Sequence, residues 1–336
     1  MSSHRTRVVL GSLFFVLVSA CGRSDEDSAS GTAGVEVMAS FYPLEWASQR
    51  VAGERAGVTS LTPPGAEAHD LELSPQDVAE MTEADLVVYL SGFQPAVDDA
   101  VSIAGDTIVV DAGELTTLDL TATDEHSDEH GEEEGDEHAD EHSDEHGEEE
   151  GDEHSGEHGD EASAADPHFW LDPLRLAEVG DALAERMADV DPDGADAYQE
   201  NAADLRADLE ALDEEMRAGL SDCESTTLVT SHEAFGYLAD RYGFDQLGIS
   251  GLSPEDEASP AELAEVTDFV RDNDVDTIYF ETLVSPDVAQ TVAEETGAST
   301  ATLDPLEGLT EESAGADYLQ VMRSNLTALQ EGQSCT

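Results

Sequence analysis

The chain has 336 residues and a formal net charge of −68, from 80 acidic residues against 12 basic ones, and every base is an arginine. Phosphate recognition needs clustered Lys and Arg, so this balance excludes nucleic acid as a partner. The length exceeds one ordinary core and fits two globular units with appendages, while an acidic surface without lysine speaks of solubility or a salt-rich habitat rather than of chemistry.

In chain order, His4, Arg5 and Arg7 make a positive start, and Val8 to Val18 form an apolar run too short to span a bilayer. Small residues and Cys21 follow. This is a secretory signal over residues 1–21, and Val18-Ser19-Ala20-Cys21 is similar to the lipobox of bacterial lipoproteins, with Cys21 as the lipidated residue. The polar, Ser- and Gly-rich stretch 22–34 reads as a tether, which puts the mature protein outside the cytoplasm. There, in an oxidising compartment, Cys223 and Cys335 remain as a candidate disulfide pinning the C-terminus.

The folded body opens with alternation over Val35–Phe41, a strand, and helical spacing over Pro43–Ala52. Val58–Leu61 is a second strand, ending in Pro-Pro-Gly. Ser74-Pro75 starts a helix with an N-cap serine and proline in the first turn. Asp85–Leu90 and Thr107–Val110 are further strands, with a helix over Gln94–Ala104 between them. Strands alternating with helices of about ten residues imply a parallel sheet covered on both faces.

A low-complexity segment then intervenes over 124–161. DEHSDEHGEEEGDEH at Asp124–His138 recurs at Asp140–His154, with almost no apolar side chain, so the segment cannot offset its ordering entropy and is expected to be disordered. Its histidines, His126, His130, His138, His142, His146, His154 and His158, are spaced by four or eight residues among acids, a pattern that binds divalent ions weakly and several at a time. The rival reading is a solvated acidic spacer.

Helical spacing resumes over Leu174–Val190 and, after Asp-Pro-Asp-Gly, over Ala195–Leu220, long enough to bridge two lobes. The second half repeats the first: strands at Thr226–Thr230, Gln246–Ser250, Thr277–Phe280 and Ser299–Leu303, and helices at Ala234–Tyr242, from the Ser259–Glu262 capping box to Arg271, at Pro286–Glu295 and at Ala314–Leu329. The expected organisation is an α/β fold of two lobes, 35–190 and 223–336, joined by a helix at 193–220. In open parallel sheets, ligands bind beyond the carboxyl ends of the strands.

Three histidines fall in this body, His69, His168 and His232, each at a loop or element boundary rather than in an apolar stripe. Beside a histidine-rich run, that placement points to a metal site. A fourth ligand is wanted. Asp304, after the last strand, is one candidate and Glu281, after Ile278-Tyr279-Phe280, its rival; for either, helix capping or surface charge is the plainer reading.

These features together resemble the metal-binding lipoproteins of ABC importers, the cluster A-I solute-binding proteins, and within them the zinc-binding branch. The resemblance rests on the lipobox at Cys21, PPGAEAHDLELSP around His69, the His- and acid-rich run before DPHFWLDP around His168, the Asp193–Leu220 helix, TSHEAFGYLADRYGF around His232 and LDPL around Asp304. It implies two four-stranded lobes joined by a rigid helix, with the ion between them, ligated by His69, His168 and His232 with Asp304 or a water in fourth place. It implies a monomer that delivers Zn²⁺ to a membrane permease and, through that permease, partners an ATPase subunit. Histidine at position 232, where manganese-type relatives usually carry a carboxylate, favours zinc. Imidazole suits Zn²⁺, whereas Mg²⁺ or Ca²⁺ would call for oxygen ligands. The branch often has Glu directly before the first ligand; Ala68 stands there, with Glu67 one earlier.

Two other functions compete: a manganese or iron importer subunit of the same family, and a surface metal buffer or adhesin in which the 124–161 run is the working part. Enzyme activity is not expected. Ser231-His232-Glu233 suggests HExxH, but Gly236 and Tyr237 replace the second histidine, and no G-x-S-x-G elbow is present.

Overall fold

A computed structural model describes residues 34–105, 107–121, 165–256 and 258–336. The signal segment with Cys21, the tether up to residue 33 and the seven loop histidines, positions 126, 130, 138, 142, 146, 154 and 158, lie outside the described residues.

The first half runs β1 (Val35–Ala39), α1 (Tyr42–Ala52), β2 (Ala56–Ser60), α2 (Pro75–Glu83), β3 (Leu86–Tyr89), α3 (Pro95–Val101) and β4 (Ile108–Asp111). A buried 3₁₀ turn, Phe169–Leu171, then leads into α4 (Pro173–Val190) and α5 (Ala195–Gly219). The second half runs β5 (Thr227–Thr230), α6 (Gly236–Tyr242), β6 (Asp245–Gly248), α7 (Pro260–Asp272), β7 (Thr277–Phe280), α8 (Asp287–Thr296), β8 (Ser299–Thr302) and α9 (Tyr318–Gly332). Local chemistry sets the boundaries. Ser74 and Ser259 close capping boxes with Asp77 and Glu262, and a proline follows each in the first turn. α9 starts at Tyr318 rather than near Ala314, because the Asp317 side chain accepts from Gln320 N and fixes the N-terminus there.

Two four-stranded parallel sheets result, ordered β2-β1-β3-β4 and β6-β5-β7-β8. Each changes winding direction between its central strands, β1 and β3 in one and β5 and β7 in the other, the position at which a parallel sheet opens a crevice at its carboxyl edge. Helices cover both faces. Met38, Met81, Val87 and Val97 pack on one side of the first sheet, and Val229, Val266, Val270, Ile278 and Val292 do so for the second. The main core is continuous across both halves, running from Phe41 and Leu44 through Trp170, Leu205 and Leu209 to Phe235, Leu303 and Tyr318.

α5 is 25 residues long, about 38 Å at 1.5 Å per residue, and it buries Tyr198, Ala202, Leu205, Leu209, Leu212 and Met216 at helical spacing. Its buried Asp213 faces α6: Arg241 Nε donates to Asp213 at 2.6 Å, and Arg241 Nη1 donates to Asp172, the N-cap of α4, at 3.2 Å. In a chain with 12 bases, this one is spent tying three elements together. Cys223 and Cys335 are disulfide-bonded, which fastens the end of the chain to the entry of β5. Among the described residues, no helix is long and apolar enough to cross a membrane.

Candidate metal centre

Each of the three body histidines is delivered by a carboxyl-edge loop. His69 lies between β2 and α2, His232 two residues beyond β5, and His168 immediately before the buried 3₁₀ turn that precedes α4. The fold brings all three together with Glu307, five residues beyond β8, so that one ligand atom from each lies within 4.8 Å of the others. Glu307 Oε1 is 3.4 Å from His69 Nε2 and 3.3 Å from both His168 Nε2 and His232 Nε2. Tetrahedral bonds of about 2.0–2.1 Å require ligand atoms about 3.3–3.4 Å apart; the three Glu307–imidazole distances match this, and the remaining pairs lie within 4.8 Å, close enough to draw in around one small ion. The buried Nε2 atoms of His168 and His232 face Glu307 but make no well-formed hydrogen bond among the described residues, so a cation at the centre would satisfy polar atoms that the protein alone does not.

The other ring nitrogens are engaged. His168 Nδ1 lies 2.7 Å from Asp166 Oδ1, which also accepts from the His168 backbone N–H at 2.9 Å. His232 Nδ1 lies 2.6 Å from Glu281 Oε1. A carboxylate on Nδ1 fixes the tautomer with a bare Nε2 and raises its basicity as a ligand. Glu67 takes the His69 and Asp70 backbone N–H groups, both at 3.0 Å, and so shapes the His69 loop from two residues away. Gln94 Nε2 donates to Ala68 O at 2.9 Å from beneath.

Asp304, the expected fourth ligand, is outside the cluster. It is buried, but its Oδ1 accepts from Leu306 N at 2.8 Å and its Oδ2 accepts from Thr282 Oγ1 at 3.3 Å, so it braces the loop instead of facing the imidazoles. Glu281, the rival, also stands back, behind His232. Sequence reasoning missed Glu307 because it assumed that the first acid after a strand points at the edge. Leu306 has φ of +61°, and this reversal presents the third residue after Asp304. The available signal was Glu307-Gly308 directly after Asp-Pro-Leu, a carboxylate at a turn.

One wall of the site is aromatic. Phe93 lies 4.5 Å from the His69 ring and Trp170 5.2 Å from His168, ring centre to ring centre, and Phe41 backs both at 4.6 and 4.8 Å. The His69 side chain is 10% exposed, against 2% or less for the other three, so the site opens to solvent on the His69 side.

Burial opposes charge on Glu307, but His168, His232 and His69 hold it well below the usual carboxylate range. Burial also opposes charge on the imidazoles. Asp166 and Glu307 reverse this at His168, whose pKa is raised, and Glu281 and Glu307 push His232 up to about 10. The ion-free cluster therefore favours protons on His168 and His232, and a divalent cation would take their place. Three carboxylates around it, Glu307, Asp166 and Glu281, would leave little net buried charge.

The residue span 37–332 matches the protein family described as zinc-uptake complex component A, periplasmic. The chain belongs to this family. It is 34% identical over 325 residues to the high-affinity zinc uptake system protein ZnuA of Bacillus subtilis, covering 94% of both chains. It is 35% identical to the zinc-binding lipoprotein AdcA of Streptococcus pneumoniae, covering 96% of this chain but 60% of that protein. Among solved structures, the laminin-binding protein Lmb of Streptococcus agalactiae, described as an adhesin with metal-transporting activity, superposes with a TM-score of 0.72 at 32% identity, covering 89% of this chain and all of that one. Zn(II)-bound AdcA from Streptococcus pneumoniae superposes with a TM-score of 0.68 at 31% identity, covering 89% of this chain and 58% of that one. The two-sheet fold with its long helix is thus that of the family, and the family is one of solute-binding components rather than catalysts.

Proposed function

We propose that the protein captures one Zn²⁺ ion at His69, His168, His232 and Glu307 and delivers it to a membrane permease driven by an ATPase subunit. In this reading it works as a monomer outside the cytoplasm, with lobes 35–190 and 223–336 on either side of the ion and the 193–220 helix joining them. The observation that carries it is the convergence of three Nε2 atoms on one Glu307 oxygen at 3.3–3.4 Å. Three imidazoles and a single carboxylate favour zinc over manganese, which prefers oxygen donors. ZnuA and AdcA are both named for zinc, which agrees with the donor set.

The histidines of 124–161 are read as a low-affinity collector that feeds the site. Calorimetry tests both parts. The full chain is expected to show one tight zinc site plus several weak ones, and deletion of 124–161 should remove only the weak ones. Loss of the tight site on deletion would move the function from the body to the loop, as a surface metal buffer requires. Manganese should be displaced by equimolar zinc, and failure of that displacement would favour the manganese reading.

Membrane attachment is read from Val18-Ser19-Ala20-Cys21, in keeping with the name lipoprotein for AdcA. Detergent-phase partitioning of the protein from its native membranes should be lost in Cys21→Ser. Equal partitioning of the two would exclude a lipid on that residue.

A further inference from the structure

Glu307 reaches the imidazoles from a loop held in a conformation that leucine resists. Among the described residues, three that are not glycine have positive φ, Asp274, Leu306 and Ser334, and Leu306 is the one with a bulky apolar side chain. At φ of +61° its Cβ crowds the following carbonyl, a strain that persists only where the surroundings enforce it.

Those surroundings are specific. Asn325 on α9 grips the Asp304 backbone from both sides: its Oδ1 accepts from Asp304 N at 3.0 Å and its Nδ2 donates to Asp304 O at 2.7 Å. Asp304 Oδ1 in turn accepts from the strained Leu306 N–H at 2.8 Å. Between them, Pro305 O accepts from Trp170 Nε1 at 2.7 Å. Trp170 stands two residues from His168, and its own carbonyl accepts from Tyr318 on α9 at 2.6 Å. Asn325 and Asp304 are 2% and 3% exposed, so water offers no ready substitute for these bonds. Residues 304 and 305 are held from outside and residue 306 by the Asp304 side chain, and the next residue is Glu307.

We infer that Asn325 and Asp304 are positioning residues of the ion site: they hold Leu306 in the left-handed region, and that conformation sets the Glu307 carboxylate against the three imidazoles. The inference rests on the reading of this cluster as the zinc site. Without the clamp Leu306 is free to relax to negative φ, which turns Glu307 away and leaves three imidazoles. Neither positioning residue touches the ion. The Trp170 bond makes the placement of Glu307 depend on the segment that carries His168, so ligands from the two halves are set together.

A double-mutant cycle on the full chain tests this, with zinc calorimetry, the visible spectrum of the Co²⁺ form and thermal unfolding as readouts. Asn325→Ala is expected to weaken zinc binding about 10- to 100-fold, as removal of support behind a ligand generally does. The Co²⁺ spectrum should change to that of Glu307→Gln. In the Glu307→Gln background, Asn325→Ala should cost less than about twofold, because its only route to the ion is already cut. Asn325→Asp, which keeps an acceptor for the Asp304 N–H and loses the donor to its carbonyl, reads the same cycle if the alanine variant does not fold. Equal losses in both backgrounds, or a lowered Tm with unchanged affinity and spectrum, would overturn the inference and leave Asn325 a purely structural residue. A parent chain that bound no zinc would instead overturn the reading of the cluster, and the inference with it.

Discussion

Substitution of His232 by alanine is expected to remove tight zinc binding, raising the Kd about a hundredfold or more. Four-ligand zinc sites are worth roughly 10–16 kcal/mol, or about 3 kcal/mol per ligand when shared evenly, which corresponds to about two decades in Kd. The loss is compounded at this position. Glu281 sits 2.6 Å from His232 Nδ1 and is 4% exposed, so without the imidazole a buried carboxylate faces Glu307 with no cation between them. The ion-free variant should therefore also unfold at a lower temperature than the parent, and addition of zinc should fail to restore it. His168→Ala should behave alike, because Asp166 is stranded in the same way. Trp170, 5.2 Å from the His168 ring, offers an optical check: its fluorescence should respond to the first equivalent of zinc in the parent and not in His232→Ala. Asp304→Asn separates ligand from brace. It keeps an oxygen for the Leu306 N–H and should cost less than about tenfold; a loss as large as that of His232→Ala would return Asp304 to the ligand set.

The contrast between Asp304 and Glu307 shows what the sequence can and cannot specify. Alternating apolar runs, capping boxes at Ser74 and Ser259 and the Asp172-Pro173 start of α4 are local signals, so the strand and helix order is readable to within a few residues. Parallel strands send their carboxyl ends to one edge, which is why three histidines far apart in sequence could be assigned to one site before any geometry was known. The direction of a side chain within a loop is different, because it depends on φ at one residue. The positive φ of Leu306 has no sequence signature, since neither glycine nor asparagine occupies the position. For the same reason Glu281 could be ranked as a candidate ligand but not as the partner of His232 Nδ1, and Asp166 went unnoticed as the partner of His168 although it belongs to the motif that singled out that histidine. Continuity of the core through Trp170, Tyr318 and Leu303 was equally hidden, because apolar spacing marks a buried face without naming what covers it.

The second large effect is on pH, and its sign differs between the ion-free and zinc-loaded protein. In the ion-free state His232 titrates near 10, well above the ordinary value of about 6.5. Its stabilising contribution is therefore fully present below about pH 6.5 and is lost as pH rises through about 10. Glu307 contributes in the opposite sense: held well below the usual carboxylate range, it stabilises above about pH 4.3 and fails only as pH falls through that lowered value. The ion-free protein should thus be most stable in mildly acidic solution and weaken toward alkaline pH. Zinc reverses the trend, because coordination requires bare Nε2 atoms on His168 and His232 and so must displace protons from rings whose protonated form Asp166, Glu281 and Glu307 favour. Zinc binding near neutral pH should therefore release protons, one from His232 and a further share from His168. Since a ligand stabilises in proportion to the logarithm of its saturation ratio, the zinc-induced rise in Tm should widen steadily from about pH 6 to about pH 9. Calorimetry in two buffers of different ionisation enthalpy counts the protons directly. A Tm shift that does not change with pH, together with no proton release, would show that His168 and His232 do not exchange protons for the ion, and would place the ion elsewhere.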